Sequence, residues 1–305
     1  MNGRVRTEHE IEAGRQRRRL WVTSGPGLVW IMIFLLVPSA VLLGIAFFTS
    51  NDYGSPVLPL SVQPFQQVAG YSLLGWDPGN ITIFLRSLGQ AGIATLVSAA
   101  LSYPLVFFIL SRPEDLRPLL LLFIVLPSWT NQVVRTYAWL ELLGPNAPVS
   151  WLAHMLHAVP PELGLAPGSF AVTTGLAYNY LPYMIVPLYA SAEKLDWTLV
   201  EAGRDLYASG VRLFWHAVFP QTLPGLLSGV IFVAIPAFGD YVVPQLLGGD
   251  KALMIGSLIA NQFTETPDWP YGAALTIIML FFTGLGLVGF RILTRKLGGA
   301  EEAAI

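Results

Sequence analysis

Six long apolar runs dominate this sequence and restrict what it can fold into. Together they contain only three charged residues, Arg135, Glu141 and Asp240. A helix of about 20 apolar residues crosses the roughly 30 Å hydrocarbon layer of a bilayer. The sequence therefore predicts an all-α polytopic membrane protein with six transmembrane helices, at residues 27–48, 87–110, 119–143, 168–192, 221–248 and 271–290.

The composition agrees with this prediction and excludes some chemistry. Only 12% of the residues are charged and 54% are hydrophobic, whereas roughly one-quarter of the residues of a soluble domain are charged. The chain contains no cysteine. Disulfides and thiolate chemistry therefore play no part in its function.

The basic residues indicate which connections face the cytoplasm. Of the 17 Lys and Arg, all but Arg86, Arg135 and Lys251 lie in the N-terminal arm, in the connectors at 111–118 and 193–220, and at the C-terminal end. Because such segments stay on the cytoplasmic side, we expect both termini inside. The arginines of the arm would also suit binding to nucleic acid or lipid, but the adjacent span explains them without a nucleic-acid partner. The expected parts are a basic arm (1–26), a transmembrane domain (27–295) and a cytoplasmic tail (296–305).

The connector at 193–220 is the one long charged stretch between two membrane-length runs. Its apolar residues recur at spacings of three and four, which is typical of a short amphipathic helix: Leu195, Leu199, Ala202 and Leu206. A helix of this kind suits docking into a groove of a partner. An ordinary solvated helix shows the same periodicity, so the pattern alone leaves both interpretations open.

Part of this connector resembles the EAA loop of ABC-importer permeases, the segment that docks on the ATPase. The resemblance rests on Glu201-Ala202-Gly203, with Pro220 closing the stretch. Gly203 stands where the family usually has a third Ala, and Tyr207 where it usually has Gly. Because Gly adopts positive φ without strain, Gly210 is the candidate for the turn instead. The resemblance implies ATPase coupling through Glu201, Ala202, Gly203, Asp205, Tyr207, Gly210 and Pro220.

Residues 126–143, 240–249 and 268–275 also resemble polyamine ABC permeases. With the EAA-like loop they cover most of residues 84–296, and they are similar to the first permease subunit of spermidine/putrescine importers, which have the type I importer fold. The resemblance implies a bacterial inner-membrane location, a second permease of the same fold, a dimer of ATPase subunits that bind ATP and Mg²⁺, and an external substrate-binding protein. This chain would hold no cofactor. Permeases for ferric iron, thiamine, sulfate, phosphonate and opines share the architecture, so the substrate stays open among them.

Polar residues inside the third run indicate a substrate path. Spacings of three and four place Ser128, Asn131, Arg135 and Trp139 on one face of a straight helix. On that face Arg135 would lie over Trp139 in a cation–π contact, and Asn131 would accept a guanidinium hydrogen. Alternatively, Arg135 snorkels to the membrane interface or pairs with an acid on a neighbouring helix.

Asp240 follows Gly239 at an expected break in the fifth run, with Tyr241 beside it. A buried carboxylate requires a cation, which either a polyammonium substrate or Arg135 would supply, and both alternatives stay open. The fourth run adds polar groups and ring faces that suit a ligand made of methylenes and ammonium groups: Tyr178, Asn179, Tyr180 and Tyr183.

The sequence argues against catalysis by this chain, and no residue is assigned a catalytic role. It contains no G-x-x-x-x-G-K-[ST] phosphate-binding loop, so ATP is expected on a separate subunit. His154 and His157 have no obvious third ligand, so no metal site is expected. The alternative function is a carrier driven by a proton or sodium gradient, with Asp240 as the coupling carboxylate, although the sequence contains no evident inverted repeat.

Overall fold

The computed structural model describes residues 8–72, 75–157, 160, 164–249 and 252–302, which are largely helical. The helices are α1 (Glu8–Ile45), α2 (Gln63–Val68), α3 (Gly79–Leu110), α4 (Arg117–Val125), α5 (Gln132–Leu142), α6 (Pro148–Met155), α7 (Ser169–Ala192), α8 (Trp197–Asp205), α9 (Gly210–Leu213), α10 (Phe219–Gly239), α11 (Val242–Leu247), α12 (Ile255–Thr264) and α13 (Trp269–Glu302). Four short strands are β1 (Phe48–Ser50), β2 (Pro56–Leu60), β3 (Tyr71–Ser72) and β4 (Gly75–Trp76). The predicted arm lies partly in α1 and the predicted tail partly in α13; residues 1–7 and 303–305 are outside the described ranges.

Within the described ranges, four helical segments are long and apolar enough to cross a membrane: Thr23–Ile45, Gly79–Leu110, Gly210–Gly239 and Trp269–Ile292. A fifth span is a bent pair, Glu114–Trp129 and Gln132–Leu142, whose two parts meet at 92°. The predicted span at 168–192 is α7, which has 24 residues and a length of about 36 Å, but is too polar to belong to this apolar group. The predicted all-α membrane architecture is confirmed.

Helix α7 is the central helix of the bundle and packs against both α3 and α10. Its close contact with α10 depends on small residues, because a Cβ at Gly225 or Gly229 would collide with Ser191 or Met184 of α7. Small residues at such interfaces let membrane helices pack closely, since lipid provides no hydrophobic drive for their association. Neighbouring helices therefore cover α7. Because many of its side chains face other helices and not lipid, α7 belongs to the membrane bundle although it is less apolar than the other spans.

The third predicted span is not a straight helix. After α4, a 3₁₀ turn at Leu126–Trp129 leads into extended backbone at Thr130. Asn131 then caps a new helix, α5, by accepting a hydrogen bond from Val133 N at 2.8 Å. The prediction that residues 128, 131, 135 and 139 share one helix face is therefore wrong, because the helical period is interrupted between the first and the third of them.

Between α1 and α3 the chain forms a small cap from two antiparallel hairpins, β1–β2 and β3–β4, together with α2. Gly54 in this cap has φ 75°, and the backbone of Pro267 lies where its Cβ would be. Trp269 N donates to Gly54 O at 3.0 Å. These contacts fix the cap to the start of α13, at the end of the bundle where α3 and α7 begin. The connector leaves from the other end, where α7 stops.

Candidate functional site

Asp240 lies at the break between α10 and α11 and is buried, with 6% of its surface exposed. Its extended backbone ends α10, so the predicted break in the fifth run is confirmed. The carboxylate Oδ2 accepts hydrogen bonds from Gln132 Nε2 of α5 and from the Tyr180 hydroxyl of α7, both at 2.8 Å. Oδ1 accepts one from Val243 N, at 3.1 Å, and so caps α11. One carboxylate thus connects four helices.

The groups that donate to Asp240 are all neutral: an amide, a phenol and a backbone N–H. Among the described residues the carboxylate forms no ion pair with Arg135, the structural partner considered from the sequence. Buried charges in proteins are ordinarily paired, because removing them from water is costly. The described part of this chain therefore leaves the Asp240 charge without a counterion.

Arg135 lies in α5, less than one turn after Gln132, and its Nε is buried without a hydrogen-bond partner. The side-chain oxygen of Asn131 is occupied in capping α5. The Trp139 ring packs edge-on against Tyr178 of α7, with centroids 5.3 Å apart and an interplanar angle of 67°. The expected contacts of Arg135 with Trp139 and Asn131 are therefore not formed.

Aromatic rings extend from the Asp240 cluster to accessible surface. The rings of Tyr180 and Tyr183 lie 6.2 Å apart, and Tyr183 and Tyr241 are each 52% exposed. Asn179 is buried, and neither polar atom of its side chain has a hydrogen-bond partner. Of the residues predicted to line a substrate path, Asp240 and Tyr183 contact Tyr180, and Tyr241 follows Asp240 in the chain. Trp139 and Tyr178 form a separate pair.

Gln132 is the residue of this cluster that sequence reasoning missed. It is neutral, and it lies 108 positions away from Asp240 in the chain. The available signal is Asn131, because Asn is a favoured N-cap residue. A helix that starts at Asn131 has Gln132 in its first turn. Gln132 then points in a direction that a continuous helix through the whole third run would not predict.

The connector begins with α8, whose N-cap is Asp196. The Asp196 carboxylate accepts hydrogen bonds from Thr198 N at 3.0 Å and from Thr198 Oγ1 at 2.6 Å. These bonds favour the charged form and lower the pKa of the Asp196 carboxyl from its ordinary value. Val200 packs inward, while Glu201, Ala202 and Asp205 are exposed. A short helix is therefore confirmed at α8, but Leu199 and Ala202 of the predicted apolar stripe are exposed, and Val200 is the residue of α8 that is buried.

Of the two residues described above as departing from the family pattern, Gly203 lies in α8 and Tyr207 in the turn between α8 and α9. A Cβ at Gly203 would collide with Leu213 Cδ2, so Gly permits α9 to pack closely on α8. Tyr207 adopts φ 57°, a conformation disfavoured for residues with a Cβ by roughly 1–2 kcal/mol, and its side chain is 98% exposed. Gly210 is the first residue of α9 and has no positive φ. The expectation that Gly210 makes the turn is wrong, because Tyr207 itself adopts the left-handed conformation.

Residues 100–299 match the family described as binding-protein-dependent transport system inner membrane component. The chain is 35% identical over 277 residues to the spermidine/putrescine transport system permease protein PotB of Salmonella typhimurium (strain SL1344), covering 90% of this chain and 94% of that protein. It is 32% identical over 271 residues to PotB of Haemophilus influenzae, with coverages of 88% and 92%. It is 30% identical over 278 residues to the inner membrane ABC transporter permease protein YdcU of Escherichia coli (strain K12), with coverages of 86% and 85%.

Two solved structures have a similar fold. A bacterial alginate ABC transporter, in complex with an alginate pentasaccharide-bound periplasmic protein, matches with a TM-score of 0.65 and 13% identity over 93% of this chain and 97% of that one. The MetNI methionine ABC transporter in inward-facing conformations matches with a TM-score of 0.53 and 13% identity, over 71% and 95%. These likenesses confirm the predicted ABC-importer permease fold.

Proposed function

The chain belongs to the family of binding-protein-dependent transport system inner membrane components and is a permease subunit of an ABC importer; from this premise we propose that it conducts polyamines of the spermidine and putrescine class. The Asp240 carboxylate is the observation that carries this proposal. It is buried at a helix break and is held by neutral donors only. An ammonium group of the substrate would supply the counterion that this site lacks.

The surroundings of Asp240 also suit a ligand that alternates ammonium groups with methylenes. The rings of Tyr180, Tyr183 and Tyr241 offer faces for apolar contact and for cation–π attraction. Arg135 and Trp139 of α5 and Tyr178 of α7 would border this path. Asn131, the N-cap of α5, would lie at one end of it.

We assign coupling to the connector at 193–220, in particular to the exposed residues of α8 and the turn after it. A separate ATPase dimer, which would bind ATP and Mg²⁺, would hold this connector and that of a second permease. Closure of the ATPases would displace the connector and change which end of the path is open. This requires the ATPases to contact the permease differently in its inward-open and outward-open states, because a partner shifts an equilibrium only by its different affinity for the two conformations. An external binding protein would deliver the substrate.

The expected topology follows from the same scheme. The arm (1–26), the connectors and the tail (296–305) would lie in the cytoplasm, with the transmembrane domain (27–295) between them. The chain itself would carry no ATPase site and no cofactor. Its cap of β-hairpins would then face the opposite side of the membrane.

The test is ATP hydrolysis by the reconstituted complex with its binding protein, either empty or loaded with putrescine or spermidine. We expect stimulation by the loaded form alone. Hydrolysis that responds to another solute and ignores polyamines would overturn the substrate assignment and leave the transporter class intact. Polyamine uptake by this chain without any ATPase would support the gradient-driven carrier instead.

Coupling is tested separately with Glu201→Arg. Glu201 is exposed on α8, so the reversal of charge should leave folding intact and weaken ATPase docking. Uptake should then fall while membrane insertion is unchanged. Glu114→Arg, an equally exposed acid in the other connector at the same end, is the matched control. Normal uptake by a well-expressed Glu201→Arg protein would contradict the docking role.

A further inference from the structure

Gln221 joins the two ends of the connector through a single side-chain amide. Its Oε1 accepts a hydrogen bond from Asp196 N at 2.9 Å, and its Nε2 donates one to Ala217 O at 2.7 Å. Asp196 is the N-cap of α8, and Ala217 lies immediately before α10. The first helix of the connector is therefore attached to the base of α10 by a contact that bridges 25 positions of the chain.

The attachment lies on an irregular helical turn. Phe214–Val218 is π-helical, and Phe219 N donates to Phe214 O. Pro220 accounts for the widening, because it has no N–H to give to the carbonyl of His216 and its ring crowds that carbonyl. Turns of this kind are rare and concentrate at functional sites. The Gln221 amide braces this turn by donating to one of its carbonyls.

The rest of the connector divides into a packed base and an exposed tip. Leu195, Val200 and Val218 belong to one apolar cluster with residues of α3 and α7. At the tip, Leu206 is 81% and Tyr207 98% exposed. A displacement of the tip therefore reaches α10 along three routes: through the four-residue α9 and the π turn, through the apolar cluster that holds Val200 and Val218, and directly from α8 through Gln221.

We propose that Gln221 is a positioning residue that makes the connector and α10 move as one body, so that displacement of α8 by the ATPase is transmitted to the break at Asp240. This inference rests on the coupling role of the connector proposed above. Without the amide, the base of the connector would open at the π turn and part of the displacement would be lost there.

The first experiment measures substrate transported per ATP hydrolysed by the complex reconstituted in vesicles. Gln221→Leu removes both hydrogen bonds, whereas Gln221→Glu keeps the acceptor for Asp196 N. We expect the ratio to fall about threefold to tenfold in Gln221→Leu, as loss of a hydrogen bond of ordinary strength would produce, and to fall less in Gln221→Glu, which still accepts from Asp196 N but cannot donate to Ala217 O. An unchanged ratio in Gln221→Leu, or an equal loss in both variants, would overturn the proposal. If Gln221→Leu fails to assemble with the ATPase, Gln221→Asn, which is one methylene too short to bridge, takes its place.

A matched control is Gln245→Leu, the same change at an exposed glutamine of α11. It should leave the ratio unchanged. A purely structural defect would lower uptake and ATP hydrolysis together, whereas loss of positioning lowers uptake for a given rate of hydrolysis.

The second experiment needs no transported substrate. Because the chain has no cysteine, spin labels can be attached at Val211→Cys on α9, beside the tip, and at Ser228→Cys on α10, both exposed positions. With the ATPase and ATP present, we expect one narrow distance distribution in the otherwise unmodified protein and a broad one when Gln221→Leu is added. Equal distributions would refute the rigid connection. If polyamines fail to stimulate the unmodified complex, the proposed substrate fails, while this distance measurement still decides the role of Gln221.

Discussion

Gln132 Nε2 donates a 2.8 Å hydrogen bond to Asp240 Oδ2 across 108 positions of the chain. It thereby attaches α5, which follows a 92° bend, to the break between α10 and α11. Tyr180 donates to the same oxygen from α7. Two neutral donors therefore orient the carboxylate without neutralising its charge, which leaves it available to a cation.

Asp240→Asn removes this charge and nearly preserves the shape of the side chain. We expect the polyamine concentration needed for half-maximal uptake to rise about tenfold or more, since tenfold corresponds to roughly 1.4 kcal/mol, within the range for loss of a charge-assisted contact. Uptake is measured with the complex in vesicles, and copurification with the ATPase checks assembly. Asp115→Asn, an exposed acid in the 111–118 connector, is the control. An unaltered concentration dependence in Asp240→Asn would exclude Asp240 from substrate binding.

Gln132→Leu removes one donor from a buried carboxylate. A hydrogen bond to a charged group contributes about 1.5–3 kcal/mol, so the detergent-solubilised protein should unfold at a lower temperature. Combined with Asp240→Asn, the effect of Gln132→Leu should shrink, because the two residues interact directly. Additive effects in the double variant would show that the hydrogen bond contributes nothing to stability.

Gly203→Val tests the close packing of α8 on α9. The added side chain would displace the end of the Leu213 side chain, whose Cδ2 lies where the new Cβ would be. Because that end is flexible, we expect a destabilisation at the low end of the ~1–3 kcal/mol range for overpacking. We expect weaker association with the ATPase in a pull-down assay, and recovery when Leu213→Ala is added to make room. If the second change brings no recovery, the defect of Gly203→Val does not come from this contact.

Tyr207→Gly separates the backbone role of this residue from that of its ring. Gly adopts positive φ without strain, so the thermal stability of the chain should stay equal or increase. Loss of the fully exposed ring should nevertheless weaken binding of the ATPase, and Tyr207→Phe should bind normally. Full binding by Tyr207→Gly would show that the ring is not part of the docking surface.

Much of the architecture was predictable from local properties. The apolar runs indicated the membrane helices, and the charged connector between two of them indicated α8. Gly239 and Asp240, inside an otherwise apolar run, indicated the break in the fifth span. Each of these inferences depends on residues close together in the chain, so no knowledge of tertiary contacts was required.

The composition of the Asp240 cluster was not predictable in the same way. Helical spacing placed Ser128 on one face with Arg135 and Trp139 on the assumption of a continuous helix, and the bend before α5 removes Ser128 from that face. Gln132 carries no charge, and although Asn131 before it signals the start of a helix, the distant partner Asp240 leaves no mark in the local sequence. Tyr207 was likewise expected to leave the turn to Gly210, because propensity disfavours positive φ at Tyr, yet Tyr207 itself adopts φ 57°.

Hydropathy and periodicity act within single helices, so the amino-acid sequence was enough to predict several membrane crossings and a helical connector at one end. The polar groups that surround Asp240, and the way Gln221 closes the base of the connector, follow instead from how the helices pack. Those contacts depend on the bend at Asn131 and on the π turn before Pro220, and each joins groups that are 25 or more positions apart. A hydrogen bond forms only within about 3.5 Å, so such partners are selected by the packing of whole helices.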